Sequence, residues 1–322
     1  MKLEVPPGTC VPGLHEWDRY HYDMIEGAIN WSKLKPYGSG NCSQARYNET
    51  HVPAVRAPHF VVGEAVHCRV LEPERWPDAY CVKPDAWPHG GGHLKKTPTT
   101  TTEDGKLNRE VKAEWDADAK GREILSADDG AMCEGIAKRL SEHKIVGPIV
   151  NRVVSVRTEL TCISKYEDIF TKSLLDIELC VDATEARQLF DPKHKFEPEW
   201  FPGGVYLGDI KTSKSGVGPG VKADTWGYTC AKYKYHGQAS FYSDNYQRAT
   251  GITPAGFFFV PVEKVEPWEP AIYLTTPEQL DAGRRLYREC LRRRQECVAS
   301  GKFPGWTDEA PLPMSCAEWG LR

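Results

Sequence analysis

No run of about 18 consecutive apolar residues occurs in the 322-residue chain, so a membrane-spanning helix is not expected. The opening stretch, MKLEVPPGTCVPG, has no positive segment leading into an apolar one, and the pattern of a secretory signal is missing. The expectation is a cytoplasmic protein with no membrane partner. An excess of positive charge is also lacking: 41 Lys and Arg stand against 45 Asp and Glu, for a formal net charge of −4. The whole molecule therefore does not attract polyanions, and any nucleic-acid surface must be local. Paired cysteines are a third absence. Eleven cysteines are scattered without a C-x-x-C pair, which suits reduced thiols used as core filler better than a disulfide framework. What the chain does have is apolar material, 40% of its residues, enough to fill a sizeable core in one large or two modest domains.

Punctuation divides the chain. Up to residue 58 the sequence is rich in turn residues and aromatics, and 1–56 reads as an N-terminal helical and loop region ahead of a main domain over 57–322. APHFVVGEAVHCRVLEPERW, 57–76, predicts a helix stopped by Pro73 and Pro77. Polar, low-complexity PDAWPHGGGHLKKTPTTTTEDGK, 84–106, reads as a mobile loop. Its His89 and His93 lack further ligands nearby, so a flexible linker is favoured over a metal site. Residues 126–143 form a helix capped by Ser126 and Asp129. A later helix, 277–299, has Thr276 as N-cap, Pro277 at its first position and Gly301 beyond its end. It concentrates Arg284, Arg285, Arg288, Arg292, Arg293 and Arg294; a solvated face is the plain reading and phosphate contact the sharper one.

Three segments alternate like strands. In VVSVRTELTCI, 153–163, one face carries Val154, Val156, Leu160 and Cys162, and the other Ser155, Arg157 and Glu159. In SLLDIELCV, 173–181, Leu175, Ile177, Leu179 and Val181 form the apolar face, opposite Asp176 and Glu178. In VYLGDIKTS, 205–213, the same period puts Asp209 and Lys211 together. Neighbouring strands would then present Glu159, Asp176, Asp209 and Lys211 on one surface.

Carboxylates brought that close repel and raise each other's pKa values. A divalent cation removes the penalty, and hard oxygen ligands around a partly hydrated ion suit Mg²⁺. A lysine beside such an ion can orient or help deprotonate an attacking water and stabilise charge building on a phosphate. Alone, the D-x-K triplet is equally explained by a strand-end ion pair. Downstream, YHGQASFYSDNY, 235–246, sets Gln238 and Tyr242 on one helix face, where they could hold a DNA strand or simply be a buried aromatic face with a solvated amide.

Taken in order, GEAVH at 63–67, LLD at 174–176, GDIKTS at 208–213 and QASFY at 238–242 resemble the RecB-like branch of the PD-(D/E)XK nucleases, and more closely the exonuclease VIII (RecE) type of phage and prophage exonuclease. AINWSKLK at 28–35, GREILSADDGAMCEGIAKRL at 121–140, YKYHGQASFYSDNY at 233–246 and the closing FPGWTDEAPLPMSCAEW support the closer likeness, which spans about residues 20–320.

The resemblance implies an α/β fold, with a mixed central sheet flanked by helices. It makes His67 a metal ligand on the first core helix, where a lone histidine would otherwise read as a satisfied core residue. Gly63, one turn earlier, would allow close approach to the sheet. Asp176 becomes the first strand acid, Asp209 the acid of the D-x-K element, the Ile210 carbonyl an extra ligand, Lys211 the catalytic lysine, and Gln238 and Tyr242 the Q-x-x-x-Y pair. Glu159 would hold a second metal or position water. Glu178 does not fit the motif. Lys222, Lys232, Lys234, Arg292 and Arg293 are the expected DNA contacts.

Segment 183–204 is an expansion between the acid strands, read as a cover for the cleft, a DNA contact or a surface insertion without function; 84–106 is a second expansion. The implied activity is Mg²⁺-dependent exonuclease action, with Mn²⁺ substituting, on double-stranded DNA ends from the 5′ side. It leaves 3′ tails for a RecT-like annealing protein in a bacterial host cell, and a homo-oligomeric ring would reconcile acidic net charge with a basic channel. The alternatives are a Cas4-like nuclease with an iron–sulfur cluster, for which Cys290, Cys297 and Cys316 lack tight spacing, another endonuclease or single-strand exonuclease of the branch, and a non-catalytic DNA-binding protein on the same fold.

Overall fold

The computed structural model describes residues 11–16, 19–51, 58–89, 93–95, 103–213 and 220–306. A seven-stranded mixed sheet organises them. In chain order its strands are β1 (Gly13–His15), β2 (Ala28–Ile29), β3 (Ser155–Tyr166), β4 (Ile169–Val181), β5 (Gly204–Ser213), β6 (Gly256–Glu263) and β7 (Tyr273–Leu274). Their spatial order is β1-β3-β4-β5-β6-β7, with β2 also beside β4. Pairing is antiparallel except for β5 with β6 and β2 with β4. Residues 13–50 thus supply two strands to the same sheet rather than standing apart from it.

Six helices matter for the site: α1 (Pro58–Leu71), α2 (Ala127–Glu142), α3 (Ala183–Phe190), α4 (Ala223–Tyr233), α5 (Tyr235–Thr250) and α6 (Pro277–Ser300). Their ends follow local chemistry. Ser126 accepts from the Asp129 N–H at the start of α2, Thr276 and Gln279 form a capping box at α6 with Pro277 just inside, and Gly301 closes α6 at φ 67°. On one face of the sheet α1, α2 and α3 pack Val66, Ile136, Leu140 and Leu189 against Ile177, Leu179, Tyr206, Ile210, Phe258 and Val260. On the other, α4 and α5 bring Trp226, Ala239 and Tyr246 against Leu160, Cys162, Leu175, Leu207 and Phe259. α6 lies against α5 and, with Tyr287, Cys290 and Leu291, encloses Trp31, Leu34 and Tyr37.

Strict alternation fails in the middle of β3 and β4. Val154 and Val156 belong to the layer under α1 and α2, whereas Leu160 and Cys162 belong to the layer under α5. Likewise Leu175 faces α5, and Ile177, Leu179 and Val181 face the opposite side. The single apolar face expected for each strand is therefore corrected to two half-faces. Glu159 is the cause on β3: its φ of 52° is left-handed, which reverses the pleat at that residue.

Two loop expectations also change. Trp87–His89 pairs with His93–Lys95 in an antiparallel hairpin that sets His89 opposite His93 in register, and a helix begins at Glu103; only 90–92 and 96–102 of the segment read as a mobile loop lie outside the described residues. Segment 183–204 contains α3, whose Ala186 and Leu189 are buried together with Phe201, and Phe190 lies against Phe201, Tyr206 and Phe258. It joins the Val181 and Gly204 ends of β4 and β5, so it builds core there instead of covering a cleft. Gly63 meets nothing within 4 Å where a Cβ would stand, and the close helix–sheet approach expected there is absent. Close approach occurs at Gly208, whose Cβ would come within 2.2 Å of the Phe258 ring, and at Gly283, where it would meet the His236 carbonyl oxygen at 2.1 Å.

Among the described residues no helix is long and apolar enough to cross a membrane.

Candidate active site

β4 and β5 pair from Val181 with Gly204 as far as Ile177 with Gly208. One residue further, where Asp176 and Asp209 stand, the ladder stops and the strands part. A carboxylate takes over there: Asp176 Oδ2 accepts the Ile210 N–H at 2.9 Å. Both acids are buried, Asp176 to 6% exposure and Asp209 to 2%. β3 adds the third acid, because Thr158 and Leu160 pair with Ile177 and Leu175, which brackets Glu159 against Asp176. The left-handed backbone at Glu159 costs on the order of 1–3 kcal/mol for a residue with a side chain, and it is this turn that sends the carboxylate toward the fork.

α1 lies over the opening and supplies His67. Its Nε2 is 2.9 Å from the Ile210 carbonyl oxygen, so Nε2–H donates there, while Nδ1 lies 3.4 Å from Asp176 Oδ2 and 3.9 Å from Glu159 Oε1. One ligand atom each from His67, Glu159 and Asp176 lie within 4.8 Å of one another. Lys211, on the same face of β5 as Asp209, places Nζ 2.5 Å from Asp209 Oδ1. Gln238 of α5 donates Nε2–H to Asp209 Oδ2 at 2.6 Å.

The charges adjust each other. Burial, and then the negative charge of Asp176, push the Asp209 carboxyl up to about 6 against the pull of Lys211. Burial also acts on Asp176, but His67, Lys211 and the Ile210 N–H overcome it and hold this acid below the usual carboxylate range. Glu159 is raised, mainly by burial. Burial opposes the charged forms of His67 and Lys211, yet the neighbouring carboxylates prevail and raise both. Lys211 is therefore an ammonium at neutral pH, able to donate to an oxygen but not to take a proton.

This donor set fits a divalent cation. Glu159 Oε1 is buried with no hydrogen-bond partner among the described residues, a costly state for a carboxylate oxygen. A cation between His67, Glu159 and Asp176 would satisfy that atom and offset the repulsion among the acids. One imidazole and two carboxylates without thiolate make a donor set for a divalent cation.

Of the residues singled out in the sequence, His67, Glu159, Asp176, Asp209, Ile210, Lys211 and Gln238 meet at the fork. Gln238, whose amide is engaged by Asp209, orients that acid. Tyr242, one turn along α5, contacts Gln238, and burial and the nearby Tyr22 push its phenol well above the ordinary value. Glu178 is elsewhere, held by Arg157 at 2.7 Å. Lys222 is exposed near Asp224, Lys232 lies over the Tyr233 ring, and Lys234 joins α4 to α5 in a left-handed conformation. Arg292 is paired with Glu289 and Glu296, and Arg293 with Glu289, as on a solvated face. Cys290 and Cys297 are buried thiols of α6, and Cys316 lies outside the described residues. Two participants had no sequence signal of their own. Tyr235 puts its ring 5.2 Å from Lys211 Nζ, and Lys35 has its pKa lowered by burial and by the charges of Lys211 and Lys234.

Residues 182–312, less than half of the chain, match the model of a family described as a PDDEXK-like domain of unknown function. That stretch takes in Asp209, Lys211, Gln238 and Tyr242 and leaves out His67, Glu159 and Asp176. No curated protein matches the chain. Among solved structures, a provisionally assigned exonuclease from Eubacterium rectale is similar over 94% of this chain and 96% of its own, at 14% identity and a TM-score of 0.41, a likeness too loose to carry any argument. The chain has the α/β core expected of the PD-(D/E)XK kind, a mixed sheet flanked by helices, with its acids and its lysine gathered where two central strands part.

Proposed function

We propose that this protein is a divalent-metal-dependent deoxyribonuclease that hydrolyses phosphodiester bonds at the fork. The observation that carries the reading is the convergence of His67, Glu159, Asp176, Asp209 and Lys211 from a helix and three strands, with an orphaned carboxylate oxygen in their midst. Nothing in the core packing calls for such a concentration of buried charge. Each element of it has a use in phosphoryl transfer.

His67, Glu159 and Asp176 would hold the cation, with Asp209 and the Ile210 carbonyl at its edge. Mg²⁺, or Mn²⁺ in its place, supplies Lewis acidity, lowering the pKa of a bound water and neutralising charge on phosphate oxygens. The Lys211 ammonium donates to the attacking water or to a phosphate oxygen and fixes its position. Gln238 keeps Asp209 turned toward Lys211. The remaining groups exclude water from the acids and so strengthen every interaction among them.

The finer reading follows the resemblance in sequence: exonuclease action on linear duplex, 5′ to 3′, leaving 3′ tails for a RecT-like annealing protein in phage recombination, with subunits closed into a homo-oligomeric ring in the cytoplasm of a bacterial host. Lys222, Lys232 and Lys234, beside α5, would steer the duplex, whereas Arg292 and Arg293, expected from the sequence as further contacts, are already paired with Glu289 and Glu296.

The test uses linear duplex labelled at either the 5′ or the 3′ end, with closed and nicked circles alongside, in EDTA, Mg²⁺ and Mn²⁺. Early release of the 5′ label from linear DNA, only with metal, is expected. Efficient cutting of closed circles would replace the exonuclease with an endonuclease, and cleavage undiminished in EDTA would overturn the metal site.

A further inference from the structure

We propose that the ring of Tyr233 is a base-stacking site for the strand engaged at Lys211, an inference that rests on the nuclease reading above and adds a substrate-binding residue to it. Tyr233 is the last residue of α4 and is 48% exposed. Its ring stacks on Tyr235, with centroids 5.8 Å apart and planes 27° from parallel. Tyr235 in turn carries the Lys211 ammonium 5.2 Å from its centroid and is enclosed by Trp226 at 5.5 Å and Phe259 at 5.7 Å. Tyr235 therefore has no face to offer a ligand. Tyr233 has one, and two ring contacts connect it to the lysine at the fork. A nucleotide bound beside the phosphate that meets Lys211 comes within reach of that open ring.

The surroundings suit a nucleotide rather than an apolar partner. Lys232 and Lys234 flank Tyr233 in sequence, and the left-handed turn at Lys234, φ 60°, starts α5 directly after it. Lys35 has its pKa lowered by burial first and then by the charges of Lys211 and Lys234, which lie near it. An aromatic face inside a group of cations is the arrangement that binds single strands, with the bases on the rings and the phosphates on the ammoniums. In the free protein Lys232 Nζ covers Tyr233, 5.5 Å from its centroid. A base would displace it. A cation over an exposed ring is worth about a two- to fivefold equilibrium preference, whereas a base on an aromatic ring is worth about five- to a hundredfold. The released ammonium is then free for the adjacent phosphate.

The experiment binds a short single-stranded oligonucleotide carrying 2-aminopurine to the full chain in EDTA and low salt, so that no strand is cut. Binding to wild type should quench the fluorescence. Tyr233→Ala should abolish the quench and weaken binding about five- to a hundredfold. Tyr233→Phe should restore both, because stacking needs the ring and not the hydroxyl. Tyr233→Leu, which keeps an apolar cover over Tyr235, should restore neither. A leucine variant that binds and quenches like wild type, or an alanine variant that does not differ from it, would overturn the stacking site while leaving the nuclease reading intact. A wild type that neither binds the oligonucleotide nor cuts linear duplex with Mg²⁺ or Mn²⁺ would overturn the nuclease reading and this inference with it.

Discussion

Asp209→Asn should make the metal-free protein more stable at neutral pH while weakening its response to metal. The Asp209 carboxyl is raised from an ordinary 3.8 to about 6, by burial and by the charge of Asp176. Such a group binds its proton more tightly in the folded chain than in the unfolded one. Its favourable contribution is complete below about pH 4 and is lost as pH rises through about 6. A shift of about two units corresponds to about 3 kcal/mol of stability forgone at pH 8. Asparagine removes the charge but keeps the shape, and the Gln238 amide can turn to match it. Part of the gain is offset because Lys211 loses its nearest counter-charge, 2.5 Å away, and retains only the more distant Asp176. The net gain is about 1–2 kcal/mol, or about 2–4 °C in Tm for a chain of this size. Thermal unfolding of both proteins in EDTA at pH 4.5 and pH 8 measures it. The variant should melt higher at pH 8, and the gap should close toward pH 4.5, where the wild-type carboxyl is already neutral. With metal at about one hundred times its Kd, wild type should gain about 2.7 kcal/mol and the variant much less. An asparagine variant less stable than wild type at pH 8, or a gap that does not change with pH, would refute the account of the fork as a site strained by its own charge.

Lys211→Ala should slow cleavage by about a hundredfold to ten-thousandfold with little change in DNA affinity, as read from single-turnover rates and binding curves; equal losses in both would make the lysine a phosphate anchor only. Glu159→Gly should leave the metal-free Tm unchanged or higher, since glycine accepts φ 52° and the orphaned oxygen is removed, and should weaken the metal-induced rise in Tm; a loss of more than about 2 kcal/mol without metal would give that carboxylate a structural role instead. The Arg292→Ala/Arg293→Ala double variant should not alter the salt dependence of DNA binding, because Glu289 and Glu296 already pair both side chains; a fall of about 1.8 in the slope of log K against log salt would place α6 on the DNA.

Local chemistry was legible without the fold. The caps at Ser126 and Thr276, the strand around Asp209 and Lys211, and the i, i+4 pair Gln238 and Tyr242 all follow from residues close in sequence, where propensity and period act directly. The order of the motifs likewise indicated the acids and the lysine that meet at the fork. Tertiary structure decided the rest. Alternation put Val156 and Leu160 on one face, and only the left-handed turn at Glu159 separates them; sequence does not reveal which glutamate will adopt that conformation, because the surrounding sheet and helices enforce it. The low complexity of 84–106 concealed a hairpin whose pairing depends on register, and the length of 183–204 suggested an excursion where Phe190, Phe201 and Leu189 in fact fill the core. Tyr235 and Lys35 gave no sign because their roles are distances to Lys211, and a distance between residues far apart in sequence is set by packing. The sequence by itself determined which groups could do chemistry; the parting of β4 and β5 after Ile177 and Gly208 decided where they meet, because buried carboxylates can share a site only where the ladder stops and their side chains can turn into the gap.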